Sequence, residues 1–236
     1  MTITYFILSQ LLAHVLADFI FQNDRLAIDK NTKGFKSGFL VWHALIAAAL
    51  AWLLFPSFAF IPGALGIGLL HYLIDGFKPL WSQRKHFVKH AFFIDQFLHL
   101  LCIAIIGLIY QYFWPDKLLW ALSPDILALT LGFVFAAKPT NVYIRELFKI
   151  FEIEATADTD ELPKGGRLIG TLERWLVLIF VLTQHFEAIG FLIAAKSILR
   201  YKDTDTLKTE YVLIGTMLSF GSAVVIGLYL FYQILS

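Results

Sequence analysis

The fold class this sequence predicts is an all-α, polytopic transmembrane helix bundle of about eight spans, and three observations predict it. Of 236 residues, 58% are apolar and only 16% charged, whereas soluble domains carry roughly a quarter charged residues. Mean hydropathy is +0.71. Apolar runs near the roughly 20 residues that cross a bilayer recur along the whole chain. The same composition excludes other classes. Lys and Arg number 19 against 18 Asp and Glu, so no nucleic-acid partner is implied. The one cysteine, Cys102, excludes an internal disulfide or a CxxC metal motif. No nucleotide-binding loop, GxSxG elbow or HExxH element occurs.

The candidate spans follow in order. The first, 3–21, carries His14 and Asp18 and has no basic leader, so it reads as a retained helix and not a cleaved signal. Spans at 38–55, 60–77, 91–112 and 118–137 complete a front half, 1–137. In the segment 138–167, Ile144, Leu147, Phe148 and Phe151 recur at helical spacing around Arg145 and Lys149. That pattern predicts an amphipathic helix on the cytoplasmic membrane surface, or a cytoplasmic extension of the fifth span. An acidic linker with Glu152, Glu154, Asp158, Asp160 and Glu161 follows, ending at Pro163 and Gly165-Gly166. Spans at 168–184, 186–199 and 211–235 then form a back half, 168–236.

Basic residues set the expected orientation, because short Lys/Arg-rich loops stay cytoplasmic. Arg25, Lys30, Lys33 and Lys36 lie in the first connection, and Lys78, Arg84, Lys85 and Lys89 in the third. Lys138, Arg145, Lys149, Lys164 and Arg167 lie in the fifth, and Arg200, Lys202 and Lys208 in the seventh, while the even-numbered connections hold only Lys117. Both termini are therefore expected to face outward.

The ionisable residues inside the spans carry the chemistry. His14, Asp18 and Gln22 follow one another at i, i+4 and i+8, and His71 and Asp75 repeat the HxxxD spacing in the third span. Asp95, Gln96 and His99 belong to the fourth span and His43 to the second. At 1.5 Å per residue, the four His and three Asp all fall within about 12 Å of the expected cytoplasmic boundary. Three carboxylates in a low-dielectric layer demand compensation by protonation, by cationic imidazole or by a metal ion. The mixed N/O set suits zinc, manganese or iron. Two ions, or one ion with Gln22 and Gln96 in an outer shell, would use every member. A metal-free hydrogen-bonded network that joins the helices is the alternative.

A second set comprises Glu173, Arg174, Lys196, Arg200 and Glu210 in the back half. Mutual ion pairing is one reading; the other has Arg174, Lys196 and Arg200 receiving a phosphate or anionic headgroup. His86, His90 and His185 read as solvated side chains and Cys102 as packing.

HVLADFIFQ near the start, HYLID, DQFLH, GRLIGTLERWL, AAKSILR and EYVLIGTMLS together resemble the bacterial membrane family catalogued as domain of unknown function 3307. The resemblance runs from His14 to about Ser219 and implies a multi-pass protein of the bacterial inner membrane. The HxxxD elements at His14–Asp18 and His71–Asp75 are also similar to those of membrane-bound metal-dependent hydrolases. A divalent-metal hydrolase acting on a membrane lipid phosphoester is the leading expectation. A metal-ion or proton carrier and a non-catalytic scaffold or sensor with a cytoplasmic partner are the alternatives.

Overall fold

The computed structural model describes residues 3–85, 87–113, 118–153, 165–199 and 206–235, and no strand occurs among them. His86, Lys117, the linker acids after Glu152, Lys164, Arg200 and Lys202 lie outside the described residues. Four helical stretches are long and apolar enough to cross a membrane: Ile3–Ile20, Phe58–Ser82, Ala91–Tyr110 and Glu210–Ile234. Two bent pairs, Asp24–Lys36 with Gly38–Leu54 at 105° and Pro124–Ala136 with Lys138–Ile150 at 45°, raise the count to six if each is one span. The expected eight spans therefore become four to six. The helix Gly165–Leu182 carries Arg167, Glu173 and Arg174 within its 18 residues, too much charge for an isolated span. Phe186–Leu199, with 14 residues, rises only about 21 Å against a hydrocarbon core of about 30 Å.

The chain divides into two compact units, Met1–Leu131 and Gly132–Ser236. In the first, α1 (Ile3–Val15) passes directly into a π-helical turn, Leu16–Ile20, closed by Phe21 N–H donating to the Leu16 carbonyl at 2.9 Å. Helix α2 (Asp24–Lys33) starts at Asn23, whose side chain accepts from Leu26 N–H. It ends at Gly34, where φ is +52°. A Cβ there would lie 2.5 Å from the Gly76 carbonyl, and one on Gly76 would lie 2.1 Å from the Phe35 ring. These two glycines let the end of α2 press against α4 (Ile61–Ser82). Ser37 caps α3 (Gly38–Leu54), accepting from Phe39 N–H while donating to Asp29.

Helices α3 and α4 approach closely through small residues. Ala44, Ala47, Ala48 and Ala51 are buried along α3, and a Cβ on Gly68 would lie 2.8 Å from that of Ala48. Helix α5 (Ala91–Phe113) packs on α4. The far ends of α1, α3, α4 and α5 are closed by Phe6, Phe55, Phe60 and Tyr110, whose rings meet at 5.1–6.4 Å. Tyr110 also donates to the Ser57 hydroxyl at 3.0 Å. The residues of this plug lie about 12–18 Å along their helices from His14, His43, His71 and His99.

Helix α6 (Pro124–Ala136) spans the boundary between the units. In the second unit, α7 (Lys138–Ile150), α8 (Gly165–Leu182), α9 (Phe186–Leu199) and α10 (Thr206–Leu235) surround Val177, Val181, Ile189, Phe220 and Ala223. The bend between α6 and α7 has a local cause. Pro139 has no N–H for the Phe135 carbonyl four residues back, and the Thr140 hydroxyl takes that carbonyl at 2.7 Å instead. Of the expected amphipathic face on α7, Phe148 is buried against Tyr211 and Gly215, and Phe151, just past the helix, is exposed.

Candidate metal centre

His14 closes the last turn of α1, and the π turn that follows carries Asp18 toward the neighbouring helices. Such turns are frequent at functional sites, where one extra residue re-aims the side chains around it. His43 comes from α3, His71 and Asp75 from α4, Asp95 and His99 from α5. All seven are buried, none more than 8% exposed. The side chains that sequence spacing singled out in four spans thus meet in one polar layer.

At its centre four atoms converge. His43 Nε2 and His71 Nε2 are 2.9 Å apart. Asp18 Oδ1 lies 3.0 Å from the His71 nitrogen and 3.3 Å from that of His43. Asp75 Oδ2 lies 3.5 Å from both. Four N/O donors held 2.0–2.1 Å from a tetrahedral ion sit about 3.3–3.4 Å from one another. Five of the six separations bracket that value, and the residues fall into two overlapping groups, His14–Asp18–His71 and His43–His71–Asp75. Asp18 Oδ1 thus faces both imidazole nitrogens at once. Two imidazole nitrogens that face each other hold one proton between them, and an ionised carboxylate donates none. The quartet therefore presents more lone pairs than protons, and its donor set fits a divalent cation.

Two lysines that the sequence places in cytoplasmic connections belong to this layer. Lys30 Nζ donates to Asp75 Oδ2 at 2.7 Å, and Lys78 Nζ to Asp95 Oδ2 at 2.8 Å. Both lysines are buried. Spacing contains a signal for one of them: His71, Asp75 and Lys78 stand at i, i+4 and i+7 on α4, a single helical face. Nothing local marks Lys30, which reaches Asp75 only because Gly34 and Gly76 let α2 dock. Two ammonium groups now face three carboxylates, so with neutral imidazoles the layer remains one positive charge short.

Around the quartet, Gln96 acts as a clamp. Its Nε2 donates to Asp18 Oδ2 at 2.9 Å, and its Oε1 faces His14 Nε2 at 3.2 Å. The amide oxygen can only accept, so His14 Nε2 carries the hydrogen and a neutral ring keeps a lone pair at Nδ1, a buried atom without a partner. Gln22, expected in the same outer shell, donates from Nε2 to the Asp18 carbonyl at 3.2 Å.

The back-half charges are arranged otherwise. Arg174 is buried and donates from each of its three guanidinium nitrogens. Its acceptors are the Ala136 and Ala137 carbonyls, at the α6–α7 bend, and the side chains of Asn141, Thr171 and Ser219. Arg174 is thus committed to capping a helix end, in place of the anion-receiving role considered from sequence. Lys196 pairs with Glu173 across α8 and α9. Glu210 is exposed at the start of α10, and Arg200 lies outside the described residues. His185 is exposed and bonds Thr183, and His90 is exposed.

The family model described as a protein of unknown function, DUF3307, matches residues 6–123, half of the chain. That match contains every histidine and carboxylate of the polar layer together with Lys30 and Lys78. It stops before GRLIGTLERWL, AAKSILR and EYVLIGTMLS, so the second unit lies outside it. No curated protein and no solved structure matches the chain.

Proposed function

The chain belongs to the DUF3307 family, and we propose that it is a divalent-metal protein of the bacterial inner membrane that hydrolyses a lipid phosphoester. Asp18, His43, His71 and Asp75 hold the ion. The observation that carries this reading is the set of five donor separations between 2.9 and 3.5 Å that links two imidazole nitrogens and two carboxylate oxygens in one buried cluster. A bound divalent ion supplies Lewis acidity and a lowered pKa for an attacking water. The chain's own groups do the rest. His14, oriented by Gln96, accepts a proton at Nδ1, while Lys30 and Lys78 supply positive charge beside an anionic substrate.

Two features support the placement and the choice of reaction. Arg25, Lys33 and Lys36 follow α1, and Arg84, Lys85 and Lys89 follow α4, the ends at which the polar layer sits. Even without the two buried lysines, this basic excess favours the cytoplasmic leaflet, with the termini outside. A carrier, by contrast, needs a polar route through the whole bilayer, and Phe6, Phe55, Phe60 and Tyr110 pack together beyond the layer.

Metal analysis of the full-length protein in detergent, beside Asp18→Asn, tests the reading. The wild type is expected to retain at least one ion per chain, and the variant to lose affinity about a hundredfold, or about 2.7 kcal/mol. The loaded wild type is expected to release phosphate from phospholipid or polyprenyl-phosphate mixtures. A wild type that binds no zinc, manganese or iron overturns the metal site and leaves a hydrogen-bonded scaffold; loaded protein without phosphate release overturns the hydrolase.

A further inference from the structure

We infer that the polar layer holds a second cation position, formed by Asp75, Asp95 and His99, with Asp75 shared between the two positions. The inference rests on the metal-binding reading above and gives it a stoichiometry.

In each of these three residues one polar atom is committed and the other is bare. Asp75 Oδ2 accepts from Lys30 and faces the histidine pair, while Asp75 Oδ1 has no partner. Asp95 Oδ2 accepts from Lys78 and Asp95 Oδ1 has none. His99 Nδ1 lies 2.8 Å from the Asp95 carbonyl oxygen, which can only accept, so the hydrogen is on Nδ1. In the neutral ring Nε2 is then a bare lone pair, and it too is buried without a partner. A backbone carbonyl that accepts from the far ring nitrogen in this way fixes the tautomer of a metal-ligating histidine.

One donor atom from each of the three residues lies within 4.8 Å of one from each of the others. All three side chains are at least nine-tenths buried, Asp75 at 0%, His99 at 2% and Asp95 at 3% exposure. Three buried acceptors that share one region and face no donor are costly unless something positive sits among them. The nearby lysines do not meet that demand, because each donates to the opposite oxygen of its aspartate. Asp75 Oδ2 is taken up at the first quartet, which leaves its bare Oδ1 for the second grouping, the two-oxygen sharing by which a carboxylate would join paired cations.

Charge sets the order of binding. Two dications and two ammonium groups against three carboxylates leave an excess of positive charge. The second ion is therefore expected to bind about tenfold more weakly than the first, and to tighten when a phosphate supplies negative charge.

The full-length protein in detergent, stripped of metal and titrated with manganese(II) with and without inorganic phosphate, tests this. Two ions per chain are expected in the wild type, with an electron paramagnetic resonance spectrum showing exchange coupling between them. His99→Leu and Asp95→Asn should each leave one uncoupled ion, bound within about threefold of the wild-type first affinity. A wild type that takes one ion with or without phosphate, or two ions that persist in both variants, overturns the second position and leaves the first standing. A wild type that takes none overturns the metal-binding reading itself. The spectrum of the wild type decides the matter even if one variant does not fold.

Discussion

Both halves of this chain bury charge among apolar helices, and they resolve it in opposite ways. In the second unit the Arg174 guanidinium meets five acceptors, two of them backbone carbonyls at the α6–α7 bend. Donors and acceptors close on each other there, and the group holds the fold. In the first unit acceptors outnumber donors: Asp75 Oδ1, Asp95 Oδ1 and His99 Nε2 are buried and bare even after Lys30 and Lys78 are counted. A satisfied buried charge is a structural device, whereas a layer with surplus lone pairs is built to receive something.

The largest effect expected from this contrast is at Arg174. Arg174→Met keeps most of the side-chain volume but leaves the Ala136 and Ala137 carbonyls and three polar side chains without their donor. Removing one partner from a buried charged network costs about 3–5 kcal/mol. Thermal unfolding in detergent is expected to show that loss while manganese binding by the folded fraction stays unchanged. Folded protein of wild-type stability would break the contrast, because Arg174 would then be as underused as the acceptors of the first unit.

How far the sequence exposed this contrast depends on whether the controlling contacts are local. The HxxxD spacings and the helical class follow from periodicity and hydropathy, and the seven His and Asp side chains singled out from them lie together in buried groups. The break after Ala137 was legible at Pro139. The span count was overestimated because apolar runs do not report length after packing: α6 is only 13 residues and α9 only 14. The π turn at Leu16–Ile20 carries no compositional mark. Lys30 pairs with an aspartate 45 residues away through a glycine-permitted docking, and no window of sequence contains both. Arg174 was visible as a buried charge, but its acceptors are backbone carbonyls, which every residue has.

A pair of glycine substitutions sharpens the comparison at intermediate size. A Cβ on Gly76 would lie 2.1 Å from the Phe35 ring, and one on Gly227 would lie 2.9 Å from the Val181 Cβ. Overpacking of either kind costs about 1–3 kcal/mol, so Gly76→Ala and Gly227→Ala should both lower the unfolding temperature. Their response to metal should differ. Undocking α2 withdraws Lys30 from Asp75, and a bound ion replaces the missing charge, so manganese should restore part of the loss in Gly76→Ala and none in Gly227→Ala. Equal rescue, or none in either, would show that the lysine contact and the ion do not share Asp75.

The smallest effect concerns orientation and not charge. Gln96 contacts both Asp18 Oδ2 and His14 Nε2, so it fixes one proposed ligand and the proposed proton acceptor at once. Gln96→Leu has nearly the same volume, removes no ligand and changes no formal charge. Loss of such an outer-shell partner typically costs 10- to 100-fold in metal affinity or activity. Here the expected loss of manganese affinity is about tenfold, or about 1.4 kcal/mol, because the Asp18 backbone stays in its π turn. Activity measured at saturating metal should fall further than affinity does, since His14 also loses its partner. Gln96→Glu separates the two roles: its carboxylate still accepts from His14 Nε2 but cannot donate to Asp18, so it should recover activity at saturating metal more than affinity. Affinity and activity lost in equal proportion in both variants would mean that Gln96 acts on Asp18 alone and that His14 takes no part in moving the proton.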